Sequence, residues 1–269
     1  MLLERQIDGM KLKIYESRQE MGKAAGEMAV KAMKEKLSGQ EIINVIFAAA
    51  PSQNEILAVL AASDVDFSRV RAFHMDEYLG LSEDAPQRFS AYLDGHIFGL
   101  VPFREIYYLC RRNPDDEDGS YGENDFSNGA EAECLRYSEL LRTFPPDITL
   151  MGIGENGHIA FNDPHEAKFN DKKLVKQVTL DEKCRLQQVN DGCFECIDEV
   201  PRKALTLTIP ALMSAETVIC TVPGAAKRRA VTRTVTGQVT EDCPASIMRS
   251  GKGSTLFCDR DSGLDLLNS

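Results

Sequence analysis

No stretch of this 269-residue chain approaches the roughly 18 consecutive apolar residues that span a bilayer, and its opening, Met1-Leu2-Leu3-Glu4-Arg5, has no apolar secretory core. Neither a membrane partner nor export is expected, and the chain reads as cytoplasmic. It also lacks any Lys/Arg run: 31 basic residues stand against 42 acidic ones, a formal net charge of -11. That balance repels a nucleic-acid backbone, so no nucleic-acid partner is expected. A small anionic substrate is still allowed, because a few focused cations and a helix N-terminus hold one locally. Metal-site spacing is missing too. The eight cysteines are scattered, and Cys193-Phe194-Glu195-Cys196, with Cys184 nearby, has no second CxxC or adjacent histidine to complete a zinc site. A chain this long needs no disulfide framework, so the thiols read as reduced and half-buried. Half a metal site or a redox pair at Cys193 and Cys196 is the alternative. No internal repeat or low-complexity tract occurs.

What is present suits one folded unit over 1–269, with 43% hydrophobic residues to fill a single core. Ser17 with Glu20 three residues on is a capping box, and apolar residues at helical spacing follow until Gly39. Ile42 to Ala49 is a continuous apolar run rich in β-branched residues, then Pro51 and a second capping box, Ser52 to Glu55, lead into Ile56 to Ala61. The alternation continues with strands at Val70 to Phe73, Ile106 to Leu109 and Ile148 to Met151, and helices at Phe89 to Phe98 and Ala130 to Leu141. Further strands are expected at Ala204 to Ile209, Thr217 to Val222 and Thr255 to Cys258, with a helix after Gly224. Between them, Pro114 to Asp125 is acidic and reads as a solvated loop. Strands alternating with helices imply an α/β fold with a parallel sheet, whose ligands bind beyond the carboxyl ends of the strands.

Three strand-to-helix loops carry chemistry. Gly152-Ile153-Gly154-Glu155-Asn156-Gly157-His158 matches the letters of a dinucleotide fingerprint, but Pro164 close behind forbids the long helix that fingerprint must open. The glycines instead let backbone approach a substrate while one turn presents Asn156 and His158. Histidine suits proton transfer near neutral pH, and among Asn156, Asn162 and Asp163 a catalytic role outweighs a structural one. In the second loop, His74-Met75-Asp76-Glu77-Tyr78, the adjacent acids either cap the next element or supply a carboxylate base for a proton beside a carbonyl. The third, Ala48-Ala49-Ala50-Pro51-Ser52-Gln53-Asn54, ends at a helix N-terminus that favours an anion, yet has no lysine or arginine. Any phosphate there needs a cation from elsewhere.

Phe73-His74-Met75-Asp76-Glu77-Tyr78-Leu79-Gly80-Leu81 and Gly152 to Pro164 closely resemble signature segments of the glucosamine-6-phosphate deaminase family. Val200-Pro201-Arg202-Lys203-Ala204-Leu205-Thr206 and Gly224-Ala225-Ala226-Lys227 match further segments in the expected order, so the resemblance spans nearly the whole chain. It implies a Rossmann-like three-layer α/β sandwich with a mostly parallel central sheet. The implied reaction isomerises an amino-sugar phosphate and expels ammonia, giving a ketose phosphate. By the same resemblance Asp76 is the base that moves the C2 proton, His158 the general acid/base of ring opening, and Asp163 the acid that orients it. Asn156 stands where many relatives have Asp, which removes a charge beside the imidazole. Ser52, Gln53, Gly154 and Lys227 fall where substrate is bound. No metal or other cofactor is expected, and a homo-oligomer is allowed, since relatives include hexamers and monomers.

The chain departs from the family in two places. Ala50-Pro51-Ser52-Gln53-Asn54 replaces a Gly/Thr-rich phosphate loop, and Asn190-Asp191-Gly192-Cys193-Phe194 stands where relatives carry an arginine. That cation is missing unless Arg185 or another base substitutes. Thr206-Leu207-Thr208-Ile209-Pro210-Ala211-Leu212 looks more like the related 6-phosphogluconolactonases. A lactonase and a non-catalytic sugar-phosphate sensor therefore stand as the alternative readings.

Overall fold

The computed structural model describes residues 1–110, 126–190, 192–251 and 253–267; the Pro114 to Asp125 loop expected from the sequence lies outside them, as does Asp191. A hairpin of β1 (Leu3–Ile7) and β2 (Met10–Ile14) leads into α1 (Arg18–Gly39), β3 (Ile43–Phe47) and α2 (Asn54–Ala61). Then come β4 (Val70–His74), β5 (Asp76–Tyr78), and α3 (Phe89–Leu93), which runs on as a π-helical turn over Asp94–Phe98. The middle of the chain gives β6 (Glu105–Tyr107), α4 (Phe126–Thr143), β7 (Ile148–Met151), β8 (Val175–Thr179) and α5 (Glu182–Asn190). It closes with β9 (Lys203–Leu207), α6 (Ile209–Leu212), β10 (Thr217–Val222), α7 (Arg228–Thr236), β11 (Ser254–Cys258) and α8 (Leu264–Leu267).

Eight strands form one sheet in the order β1-β2-β11-β10-β7-β3-β4-β6, antiparallel at β1–β2 and parallel elsewhere. Successive side chains of a strand point to opposite faces, and here both faces are covered. Val45 and Phe47 of β3 pack with Met21, Ala25, Met33 and Leu57 of α1 and α2; Ile46 and Ala48 pack with Tyr137, Leu141 and Val231 of α4 and α7. Burial on both sides explains why these strands are unbroken apolar runs. The result is the expected three layers.

The expectations need two corrections. Ser52 does not cap α2: it lies in a 3-10 turn over Pro51–Gln53, and Gln53 precedes the helix with no side-chain cap. The capping box fails because Glu55 turns its carboxylate to Arg18 Nε at 2.7 Å instead of back to the loop. The strand expected at Ala204 to Ile209 does not extend the main sheet. As β9 it joins β5 and β8 in a separate antiparallel sheet of order β5-β9-β8 and stops at Leu207, where Thr208 caps α6.

Helices α1 and α2 meet at backbone distance. A Cβ on Gly26 would lie 2.5 Å from Val59 Cβ, and one on Gly22 would lie 2.1 Å from Glu55 Cβ. Gly26→Ala should therefore destabilise the fold by about 1–3 kcal/mol through overpacking, despite the better helix propensity of alanine. A lower urea midpoint at unchanged m-value is the expected readout; an unchanged midpoint would show that the helices can part freely.

Candidate active site

The loops after β3, β4 and β7 open at the carboxyl end of the main sheet and surround a cavity of about 370 Å³. Asp76, His158, Gly154, Ser52 and Lys227 line it, whereas Gln53, Asn156 and Asp163 stand behind its wall.

Asp76 and Glu77 are neighbours on β5, so strand alternation sends their side chains to opposite sides. Glu77 is fully buried and saturated: it accepts from Tyr78 N (3.0 Å), Phe89 N (3.2 Å), Ser90 N (3.1 Å) and Ser90 Oγ (2.9 Å), with Arg88 Nε at 3.5 Å. Burial raises its pKa, and Arg88 with these donors pulls it part of the way back. Asp76 faces the cavity at 6% exposure, and among the described residues no donor reaches its carboxylate. Burial first, and the charge of Glu77 second, push its pKa well above the ordinary carboxylate range. An unpartnered, basic carboxylate at a cavity wall has what a proton-abstracting base requires.

His158 is held from two sides. Its Nδ1 lies 3.0 Å from Asp163 Oδ1, although the ring N–H is not aimed squarely at that oxygen, a looseness common before a substrate is bound. Its ring lies against the Cα of Gly154, where a Cβ would come within 2.1 Å of His158 Cε1. Gly157 turns the chain at φ +95°, and Gly154 N closes the loop on His158 O at 2.9 Å. No helix opens after this loop, so the fingerprint letters serve histidine packing. Ala160 takes a left-handed φ of 47°, which an alanine holds only when its surroundings impose it. Phe161 N and Asn162 Nδ2 supply that constraint by bonding Thr206 Oγ1 (3.1 Å) and Leu207 O (2.9 Å) of β9.

Asp163 is buried and orients the group. It accepts from Asn156 Nδ2 at 2.8 Å and from Asp181 N at 3.3 Å. Burial alone would raise its pKa, but His158, Asn156 and the Asp181 N–H outweigh burial and hold it low, so it stays an anion beside the imidazole. Asn156 also accepts from His158 N at 3.0 Å, which makes it a brace of the loop. Gln53 is likewise a brace: its amide bonds Thr221 Oγ1 (2.9 Å), Met151 O (3.3 Å) and Ser52 Oγ (3.1 Å). These bonds tie the β3 loop to β7 and β10.

His158, Asp163 and Cys184 place possible metal-ligand atoms within 4.8 Å of one another. Burial, then the charges of Asp163 and Asp181, push the Cys184 thiol well above its usual pKa, so it keeps its proton and bonds Asp163. Cys193 lines the cavity, Cys196 is exposed, and all eight cysteines are free. Arg185 donates to the carbonyls of Ile197 and Val200 and does not line the cavity.

The family model for glucosamine-6-phosphate isomerases/6-phosphogluconolactonase matches residues 16–257. This chain belongs to that family. A glucosamine-6-phosphate deaminase of Lactobacillus delbrueckii subsp. bulgaricus is 32% identical over 251 residues, covering 93% of this chain and 97% of the relative. One from Streptococcus sanguinis is 31% identical over 237 residues, 88% of this chain and 92% of that protein. Among solved structures, a monomeric glucosamine-6-phosphate deaminase superposes with a TM-score of 0.79 at 26% identity, covering 94% of this chain and 98% of that one. The 6-phosphogluconolactonase of Trypanosoma brucei shares the fold at a TM-score of 0.76 and 17% identity, covering 97% of this chain and all (100%) of that one.

Within this member of the family, the sequence reading missed Arg18, Arg88, Tyr92 and Phe161, which line the same cavity. Arg18 was findable in principle: it opens α1 directly after the loop that follows β2, itself a strand of the main sheet, and such strand-to-helix junctions are where ligands bind. Because the His158 ring occupies the place of a Gly154 side chain, Gly154→Ala should drive it away from Asp163. Turnover should fall about 100-fold while melting stays cooperative; undiminished turnover would mean the ring is not needed at that spot.

Proposed function

We propose that this chain is an amino-sugar-phosphate isomerase/deaminase, converting glucosamine-6-phosphate or galactosamine-6-phosphate to a ketose phosphate and ammonia. The observation that carries it is Asp76, a buried carboxylate of raised pKa facing the same cavity as an Asp163-paired histidine.

His158 takes the proton of the anomeric hydroxyl and delivers it to the ring oxygen, so that the C1–O5 bond breaks and the sugar opens to its aldehyde. Asp76 takes the proton from C2, and the electron pair moves into an enediol-like form bearing the amine. Returning the proton to C1 gives a 2-imine, and water then replaces the nitrogen, releasing ammonia. The balance is amino-aldose phosphate plus water to ketose phosphate plus ammonia, with no redox partner. A lactonase needs a histidine to activate water but no base at C2, so it leaves the desolvated Asp76 without a task. The relatives' substrates and the eight free cysteines also favour a cytoplasmic enzyme acting on a sugar phosphate.

Ammonia release from either amino-sugar phosphate should fall by about 10²–10⁴-fold in both Asp76→Asn and His158→Gln. If turnover of a lactone survives Asp76→Asn while neither amino sugar releases ammonia, the deaminase reading fails.

The raised pKa also fixes a pH dependence. The base works only when deprotonated, so kcat/KM should fall as pH drops through a value above the ordinary aspartate figure of about 3.9. Stability runs the other way. Between that ordinary value and the raised one, the unfolded chain has lost a proton that the folded chain keeps, so this carboxylate costs stability as pH rises. Asp76→Asn should therefore melt higher than wild type at neutral pH, by about 2–4 °C for each kcal/mol regained. A lower midpoint would mean the carboxylate is compensated in the folded state.

A further inference from the structure

Among the described residues, three Lys or Arg side chains line the cavity: Arg18, Arg88 and Lys227. Arg88 is spent on the protein: it is 1% exposed, pairs with Glu77, and donates to Cys110 O at 2.6 Å and Ser90 Oγ at 3.3 Å. Arg18 is placed differently. It is the first residue of α1, and it anchors itself through Nε to Glu55 Oε1 at 2.7 Å and through one Nη2 proton to the Pro51 carbonyl. A guanidinium carries five N–H donors, so roughly three remain, all on the two terminal nitrogens. The side chain is 35% exposed, enough to meet a ligand in the cavity it lines.

Its anchors set its direction. Gly22, one turn along α1, lacks the Cβ that would collide with Glu55, so Glu55 packs against α1 and turns its carboxylate to Arg18. The Pro51 contact lays the guanidinium on the 50–52 loop, the segment that holds Ser52 but no charge of its own. Tyr92 bonds Ala50 O at 2.7 Å from the other side, and the Arg18 charge is felt at its hydroxyl. With two donors fixing the plane, the unused edge suits a planar or tetrahedral group with two oxygens.

We propose that Arg18 is the specificity-determining cation of this site, gripping the substrate's phosphate through its unused guanidinium edge together with Lys227 and Ser52. The assignment rests on the sugar-phosphate reading above and deepens it. It supplies, from the first helix, the cation that the 50–54 loop and the 190–194 segment lack.

Arg18→Met should raise KM for glucosamine-6-phosphate about 10- to 100-fold, leave kcat within about 3-fold, and raise the inhibition constant of inorganic phosphate by a similar factor. Arg18→Lys, which keeps the charge but loses the fork, should recover part of each effect. KM for unphosphorylated glucosamine should not move. A second readout needs no turnover: inorganic phosphate should raise the melting midpoint of wild type and not that of Arg18→Met. Unchanged KM and phosphate inhibition in Arg18→Met, or a loss of kcat at constant KM, would overturn the assignment. If wild type releases no ammonia yet phosphate protects it only when Arg18 is present, the clamp stands and the deaminase reading falls. If ammonia is released with a KM indifferent to Arg18, the reverse holds.

Discussion

Burying two adjacent carboxylates is the constraint around which this site is arranged. Asp76 and Glu77 leave β5 on opposite sides, and each desolvated acid must be compensated or carry a raised pKa. Glu77 is compensated by two backbone amides of the incoming α3, a serine hydroxyl and Arg88, which pins α3 to the cavity rim. Asp76 receives none of this and keeps a proton affinity far above that of a surface aspartate. The same dipeptide thus yields an anchored anion and an unpartnered carboxylate of raised pKa, and the difference comes from surroundings alone.

Strand β9 then sets Asp76 against the histidine loop. Its Thr206 lies opposite Asp76 in the β5 register, and the hydroxyl of that threonine holds Phe161 N of the histidine loop. Its Leu207 bonds Met75 on one side and Asn162 on the other. Asp76 and the His158 loop are therefore registered by a small antiparallel sheet, while the large parallel sheet supplies the floor. This division explains why a left-handed Ala160 is held in place and why Gly154 must yield its side-chain space to an imidazole. Asp163, Asn156 and Asp181 form the layer behind, keeping an anion next to His158 without exposing it to the cavity.

The central strands were legible because burial on both faces leaves apolar runs, as at Ile43–Phe47 and Thr217–Val222. The Ser17 cap was legible because its hydroxyl does accept from Glu20 N, at 3.2 Å. The hairpin of β1 and β2 was not, since Leu3–Ile7 is half-exposed and mixes charge with apolar residues at an edge. Nor was the small sheet: β5 is three residues long, and β9 is buried on both faces from Ala204 to Leu207, so periodicity cannot tell it from a strand of the main sheet. At the site, the motif residues Asp76 and His158 line one cavity, with Asp163 beside the imidazole. Arg18 was not legible there, because Glu55 holds it at the cavity from across the helix pair, which only tertiary packing decides.

The account turns on Asp76 acting at carbon, and exchange of the substrate's C2 proton with solvent reports on that directly. In deuterated water, wild type should replace the C2 hydrogen of glucosamine-6-phosphate with deuterium, and Asp76→Asn should not, while remaining folded and binding the sugar. Undiminished C2 exchange in Asp76→Asn would contradict the account, because another group would then be moving that proton.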